Sequence, residues 1–243
     1  MDLNVSGDPR RRFRSLNNTI AAAADAVIAM AFAPSCASCA MVLETPLAGS
    51  ICETCWNGIP PFALPWTPEP GSAIDAAMSA AAYDSPLRDI IHAWKFEGRQ
   101  PLARRLAAIT RERCAAIIDG ADTAVPVPMT PWRRWQRGFN QAGDLARHLG
   151  LPVERPLARW RPRPAQASLP SHLRHRNLSG SMLVLRHRRS AIRGRIVLLV
   201  DDVVTTGATL EACAMALKGA GAAEVRAVTV ARTLKRVSAG EHR

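Results

Sequence analysis

Two groups of residues in this 243-residue sequence combine types and spacings that chemistry requires. The first is Asp201-Asp202, followed after Val203-Val204 by Thr205-Thr206-Gly207-Ala208-Thr209. Paired carboxylates suit sugar hydroxyls or a hydrated divalent cation. A small, hydroxyl-rich turn that opens a helix offers free N–H groups and partial positive charge to a phosphate. Two acids beside a phosphate would repel it unless a sugar or a metal lay between, so the run as a whole describes a phosphorylated-sugar site. Either half alone would read as a solvated strand end or an ordinary helix start. The second group is Cys36-x-x-Cys39, twelve residues, then Cys52-x-x-Cys55. Two such pairs place four thiolates around one tetrahedral zinc with no position left open, which makes the metal a structural staple rather than a catalyst. Disulfides would suit a secreted chain, and a redox dithiol does not require two pairs.

The elements that must position these residues follow from the pattern around them. Val197 to Val200 is a four-residue apolar run, expected as a buried parallel strand ending at Asp201, with a helix from about Leu210 to Lys218 after the turn. In an open α/β sheet, ligands bind beyond the carboxyl ends of the strands. Upstream, Ala73 to Tyr83 reads as a strand. Ser85-Pro86 then starts a helix that carries Leu87, Ile90, Ile91 and Trp94 on one face, and a second helix runs from about Pro101 to Ile118. Between these helices, Lys95 and Arg99 are either a solvated helix end or cations that reach a diphosphate. The prolines of Val125-Pro126-Val127-Pro128 place that segment at a strand end rather than inside a central strand. It leads into Trp132-Arg133-Arg134-Trp135-Gln136-Arg137, a basic stretch, and then a helix to about Leu149. Interleaved Trp and Arg suit nucleic acid, where rings stack on bases while guanidinium groups hold phosphates. The same arginines suit a diphosphate, or the stretch is a loop packed by its tryptophans.

The chain as a whole is globular in composition, 48% hydrophobic, with 32 Lys plus Arg against 20 Asp plus Glu and a net charge of +12. The excess is local: from Arg155 to Val200 there are eleven Arg and no Lys, Asp or Glu. Arg10-Arg11-Arg12 before the apolar run Ile20 to Ala33 has the look of an export signal, but Asn17, Asn18 and Asp25 interrupt it. Leu16, Ile20, Ala23, Val27 and Met30 recur at helical spacing, so an amphipathic helix is expected there. No stretch is long and apolar enough to span a bilayer, and a cytoplasmic location is expected. Five prolines between Gly58 and Gly71 mark a linker. The expected division is 1–60 for the first helix and zinc module, 61–71 for the linker and 72–243 for the catalytic-looking part. Cys114 and Cys213 fall in apolar helical patterns and are expected to be packed.

All thirteen residues from Val197 to Thr209 fit the phosphoribosyl-diphosphate (PRPP) signature of type I phosphoribosyltransferases. In a set order the sequence also carries the two Cys pairs, Lys95-Phe96-Glu97-Gly98, Val125-Pro126-Val127-Pro128 and Arg137-Gly138-Phe139-Asn140-Gln141. That order resembles the ComF family of phosphoribosyltransferase-like proteins, which is linked with natural competence for DNA uptake. Gln166, Leu169, Arg176, Asn177 and Leu178 match a further family region, from which Arg163 and Ser168 depart.

The resemblance implies an α/β fold of the type I phosphoribosyltransferase kind, a parallel sheet with helices on both faces and a hood. It implies that Asp201 and Asp202 hold ribose hydroxyls and magnesium, that Thr205, Thr206, Gly207, Ala208 and Thr209 cradle the 5-phosphate, and that Arg133, Arg134, Arg137 and Lys95 face the diphosphate. Oxopurine salvage enzymes carry an acid where this chain has Thr205, so that substrate class is disfavoured. Glutamine-dependent amide transfer needs a nucleophilic Cys at a mature N-terminus, where this sequence has Met1-Asp2. Two functions are therefore expected to compete. One is phosphoribosyl transfer from PRPP, with magnesium, to an unidentified acceptor. The other is binding of single-stranded DNA or competence-machinery proteins, for which Trp132, Trp135, Arg174 and Arg176 are the candidate contacts and the eleven-Arg segment is the electrostatic argument.

Overall fold

The computed structural model describes residues 34–43, 50–61, 63–99, 101–159 and 182–234, together with the helical positions 23, 24, 26 and 27. The remainder of the expected first helix lies outside the described residues, as do Arg174 and Arg176. The chain divides into two compact units, Met1–Gly58 and Ile59–Arg243.

In the first unit, the chain turns back between Ser35 and Val42, which form an antiparallel bridge, and Cys36 N–H donates to Met41 O at 2.8 Å. A short helix, α1 (Glu53–Asn57), begins at Cys52, whose side chain accepts the Cys55 N–H as its cap. The two Cys pairs therefore sit at a tight turn and at a helix start.

The second unit is built on a five-stranded sheet. Its strands are β1 (Leu64–Trp66), β2 (Ala76–Ala82), β3 (Thr123–Pro126), β6 (Ile196–Val204) and β7 (Glu224–Arg232), in the order β1-β2-β7-β6-β3. All neighbours are parallel except β1, which runs antiparallel to β2. Leu64–Trp66, inside the segment expected as linker, is thus an edge strand, held in register by Leu64↔Ser79 and Trp66↔Ala77. Strand β3 closes the opposite edge, where Pro126 has no N–H to offer and needs none on its outer side.

Strand β6 lies inside the sheet, between β7 and β3, and its residues Val197 to Val200 are wholly buried. Alternate side chains serve opposite layers. Val197 and Leu199 join Val225 and Ala227 of β7 in a cluster with Leu210, Cys213 and Leu217 of helix α7 (Ala208–Gly219). Leu157, Met182 and Val184 complete that cluster from a small antiparallel sheet of β4 (Leu157–Arg159) and β5 (Met182–Val184). On the other layer, α3 (Leu102–Arg113), α4 (Ala115–Ile118) and α6 (Gln141–Ala146) lie against the sheet, and α2 (Leu87–Phe96) packs on α3. Leu87, Ile90, Ile91 and Trp94 of α2 are buried as the spacing predicts.

Three boundaries differ from expectation. The helix over 101–118 breaks at Cys114, giving α3 and α4. The Trp-Arg stretch is a helix, α5 (Pro131–Arg137), rather than a loop. Strand β6 continues past the acids to Val204, because Val203 and Val204 keep pairing with Ala231 and Arg232 of β7. A 3-10 turn (Arg186–Ala191) connects β5 to β6. Among the described residues no helix is long and apolar enough to cross a membrane.

Candidate functional site

Because β6 runs through Asp201 and Asp202, the pleat sends the two carboxylates to opposite sides of the sheet. Asp202 takes the α2 side. Its Oδ2 lies 2.8 Å from Lys95 Nζ, and both side chains are only 14% exposed. Lys95, the last basic residue of α2, therefore supplies the counter-charge to the second acid. Asp201 follows Val197 and Leu199 toward the α7 layer. Burial raises its pKa to about 7, the neighbouring Asp202 carboxylate adds to the rise, and the Asp202 N–H, Lys95 and Arg133 oppose it. That N–H reaches Asp201 Oδ1 at 2.9 Å. The pair thus comprises one ion-paired acid and one acid that takes up a proton near neutrality.

The turn beyond them is shaped by Gly207, whose left-handed backbone (φ 77°) is open to glycine at little cost. Gly207 is also the N-cap of α7, a twelve-residue helix, so free N–H groups gather at the turn. Thr205 and Thr206 are exposed there, and Thr206 Oγ1 accepts the Ala208 N–H at 3.5 Å. Backbone donors, two exposed hydroxyls and a helix dipole are together suited to a phosphate.

The expected diphosphate cations are dispersed more than the sequence suggests. Arg133 is exposed on α5, yet near enough for its charge to act on Asp201. The side chain of Arg134 lies outside the described residues. Arg137 is half-buried, its guanidinium 4.7 Å from the Phe96 ring centroid, and Nη1 donates to Gln141 Oε1 at 3.4 Å. Asn140 explains itself: its side chain caps α6 by accepting the Gly143 N–H and donates to Val127 O. Arg137 Nε, Gln141 Nε2 and Trp94 Nε1 are buried and have no acceptor among the described residues. Trp132 and Trp135 stand 67% and 76% exposed, one turn apart on α5, with ring centroids 5.2 Å apart.

Residues that the sequence did not single out form a second wall. A cavity of about 270 Å³ lies between Trp66 to Ser72 on one side and Val204 to Gly207, Glu211 and Arg232 on the other. It adjoins the phosphate-type turn but is lined by neither carboxylate. The proline count of that segment signalled a linker, and only the pairing of Leu64–Trp66 with β2 shows that it belongs to the site.

In the first unit, the four Cys sulfurs lie within 4.8 Å of one another, and those of Cys39 and Cys52 are 3.7 Å apart. This is far beyond a disulfide bond and close to the ~3.8 Å edge of a tetrahedron with zinc–sulfur bonds of about 2.3 Å. Burial raises the Cys36 thiol, but the N–H groups of Cys39, Cys52 and Ser38 outweigh it and bring the pKa down to about 6. Burial and the crowding of Cys39 and Cys52 push Cys55 up to about 12. The set can hold a metal ion, and zinc fits its donors and spacing. Cys114 and Cys213 are buried, and burial raises both thiols.

Comparison with known proteins agrees with this layout. The phosphoribosyl transferase domain family matches residues 136–242. The DNA utilization protein YhgH of Escherichia coli is 32% identical over 175 residues, spanning 65% of this chain and 72% of that protein. Competence protein ComFC of Bacillus subtilis is 27% identical over 157 residues, spanning 64% and 63%. Among solved structures, the glutamine PRPP amidotransferase from B. subtilis is 24% identical, covering 54% of this chain and 25% of that one with a TM-score of 0.35. With a relative at this identity and coverage, and a fold of the expected kind, the chain belongs to the ComF family of phosphoribosyltransferase-like proteins.

Proposed function

We propose that this protein binds PRPP with magnesium and transfers its phosphoribosyl group to an acceptor. The observation that carries the reading is the run at the end of β6: a splayed acid pair, then a glycine-shaped turn at the N-terminus of α7. The bond from ribose C1 to diphosphate breaks, a bond from C1 to the acceptor nucleophile forms, and diphosphate leaves with its electron pair. Thr205 to Thr209 hold the 5-phosphate with backbone N–H and hydroxyl groups. Asp201 and Asp202 face the ribose hydroxyls, and they are the residues that would hold magnesium, directly or through water. The cation, when bound, supplies charge to the leaving diphosphate. Arg133, Arg134 and Arg137, all on α5, are the diphosphate candidates, together with Lys95 at the end of α2. Lys95 is also the counter-charge beside the Asp202 carboxylate. Positioning and charge neutralisation carry such a reaction, with little covalent work for the protein.

The first unit is read as carrying a structural zinc on Cys36, Cys39, Cys52 and Cys55, and the relatives' names support an association with DNA uptake or use. A second reading is supported by the stacked, exposed Trp132 and Trp135 beside Arg133: a face for single-stranded DNA, with or without catalysis.

The test is calorimetry and turnover with PRPP and magnesium, beside an Asp201→Asn, Asp202→Asn double variant. Binding that the double variant weakens by about 100-fold or more supports the site. No heat for the wild-type protein at millimolar PRPP would remove the enzyme reading. Single-stranded DNA affinity that falls with salt, and falls further in Trp132→Ala, Trp135→Ala, favours the second reading; affinity that is unmeasurable at low salt ends it.

A further inference from the structure

The phosphate turn is held by a segment that its own chemistry does not use. A β-carbon placed on Gly207 would lie 3.1 Å from Trp66 Cη2 and 3.3 Å from Cζ2, so the indole edge rests against the backbone of the one left-handed residue in the turn. Glycine reaches that conformation freely but also leaves it freely, so Gly207 alone permits the turn without fixing it. A rigid ring filling the adjacent volume removes the alternatives.

We propose that Trp66 is a positioning residue for the phosphate turn, with the proline-rich segment 64–73 acting as its strap. The inference rests on reading Thr205 to Thr209 as a phosphate cradle. Three independent features hold the strap in place. Strand β1 hydrogen-bonds to β2 with Trp66 opposite Ala77, and Pro65, Pro68 and Pro70 restrict its backbone. Arg232, at the end of β7, places its guanidinium over the indole, 5.8 Å from the ring centroid, and has no acid partner among the described residues. Glu211, in the first turn of α7, accepts hydrogen bonds from Ser72 Oγ and, at 2.8 Å, from Ala73 N. This last tether also directs a carboxylate toward donors of the strap at a helix end where an unengaged acid would oppose a bound phosphate.

Trp66 touches no reacting atom in this scheme. Its effect is to keep the N–H groups of Gly207, Ala208 and Thr209 aimed at one place, so that the phosphate does not have to order the turn as it binds. The consequence is selective: a ligand held by the turn depends on Trp66, and one held by the arginines after β3 does not.

Hydrogen exchange of the full-length protein tests this without any ligand. Trp66→Ala should speed exchange at Glu211, whose N–H donates to Gly207 O at 2.9 Å, by about tenfold or more, with β6 and β7 changing by less than about threefold. In calorimetry the same variant should weaken ribose 5-phosphate by about tenfold while changing magnesium diphosphate by less than about threefold, and Trp66→Phe should return both to within about threefold of wild type. Unchanged exchange at Glu211 would overturn the proposal. So would exchange that rises equally along β6 and β7, or equal weakening of the two ligands, because either marks a loss of fold rather than of position. A wild-type protein that binds neither ligand would remove the phosphoribosyl reading, while the exchange data would still decide whether Trp66 holds the turn.

Discussion

The four cysteines and the two aspartates set the same electrostatic problem and solve it in opposite ways. Each group brings together side chains whose charged forms repel. In the cysteine set the sulfurs converge, 3.7 Å apart at the Cys39–Cys52 pair, and protein fills all four corners. In the aspartate pair the pleat of β6 drives the carboxylates apart, one toward Lys95 and one into a buried environment that favours its protonated form. Convergence makes a closed set, in which a bound metal would be part of the fold. Divergence leaves a gap that a transient ligand can fill. The lesson is that spacing in sequence, three apart for thiols across a turn or adjacent for acids on a strand, matters through the backbone geometry that it is given.

The largest effect expected from this contrast lies on the closed side. Protein purified without chelator should contain about one zinc per chain, and Cys39→Ser should abolish it, since structural zinc sites of this kind contribute about 10 kcal/mol or more to folding. Metal analysis and the circular dichroism of the isolated variant check both parts. The Asp201→Asn, Asp202→Asn protein should keep its full zinc content; a loss there would show that the two clusters are not the separate solutions described.

On the open side, the next effect should come from Lys95. Removing one partner of a largely buried ion pair leaves the other charge uncompensated. With both side chains 14% exposed, Lys95→Met should cost about 2 kcal/mol in chemical unfolding. Adding Asp202→Asn should restore part of that loss, because the orphaned charge goes with it. If the two changes are simply additive, Lys95 is not the counter-ion of Asp202, and the division of labour between the acids fails.

How far this architecture could be read from the sequence depends on the range of the interaction. Val197 to Val200 announced a buried strand through an unbroken apolar run, and the Cys spacing announced the metal set, because both signals are local. The α/β class and the helix after Gly207 followed from the same local pattern. What the pattern missed was set by distant partners. Strand β6 runs on to Val204 only because Ala231 and Arg232 pair with it. Trp66 looked like linker because five prolines outweigh three strand residues, and its partners, Ala77, Gly207 and Arg232, lie far along the chain. Lys95 was readable as a solvated helix end or a diphosphate ligand, but its pairing with Asp202, more than a hundred residues on, was not readable. For the tryptophans of α5 the sequence left base stacking and loop packing both open, and neither their exposure nor their stacking on each other was readable.

The smallest expected effect gives the sharpest test of the comparison, because burial acts on both clusters and only the surroundings differ. Cys36 is buried yet has its pKa lowered to about 6, since three N–H groups face its sulfur. Asp201 has one such N–H and a like charge beside it, and its pKa rises from 3.8 to about 7. Between those two values the unfolded chain has released a proton that the folded chain retains. The unfolded state therefore binds fewer protons, and stability falls as pH rises through that window, with the contribution fully present below 3.8 and gone above about 7. Asp201→Asn, which cannot ionise, should be neutral or slightly destabilising at pH 5 and stabilising at pH 8, a swing of about 1 kcal/mol or more in magnesium-free buffer. Thermal unfolding at the two pH values measures it. A swing of the opposite sign would mean that Asp201 sits among donors as Cys36 does, and the open site would then resemble the closed one. A swing that vanishes on adding magnesium with ribose 5-phosphate would instead show the gap being filled by the charges that it lacks.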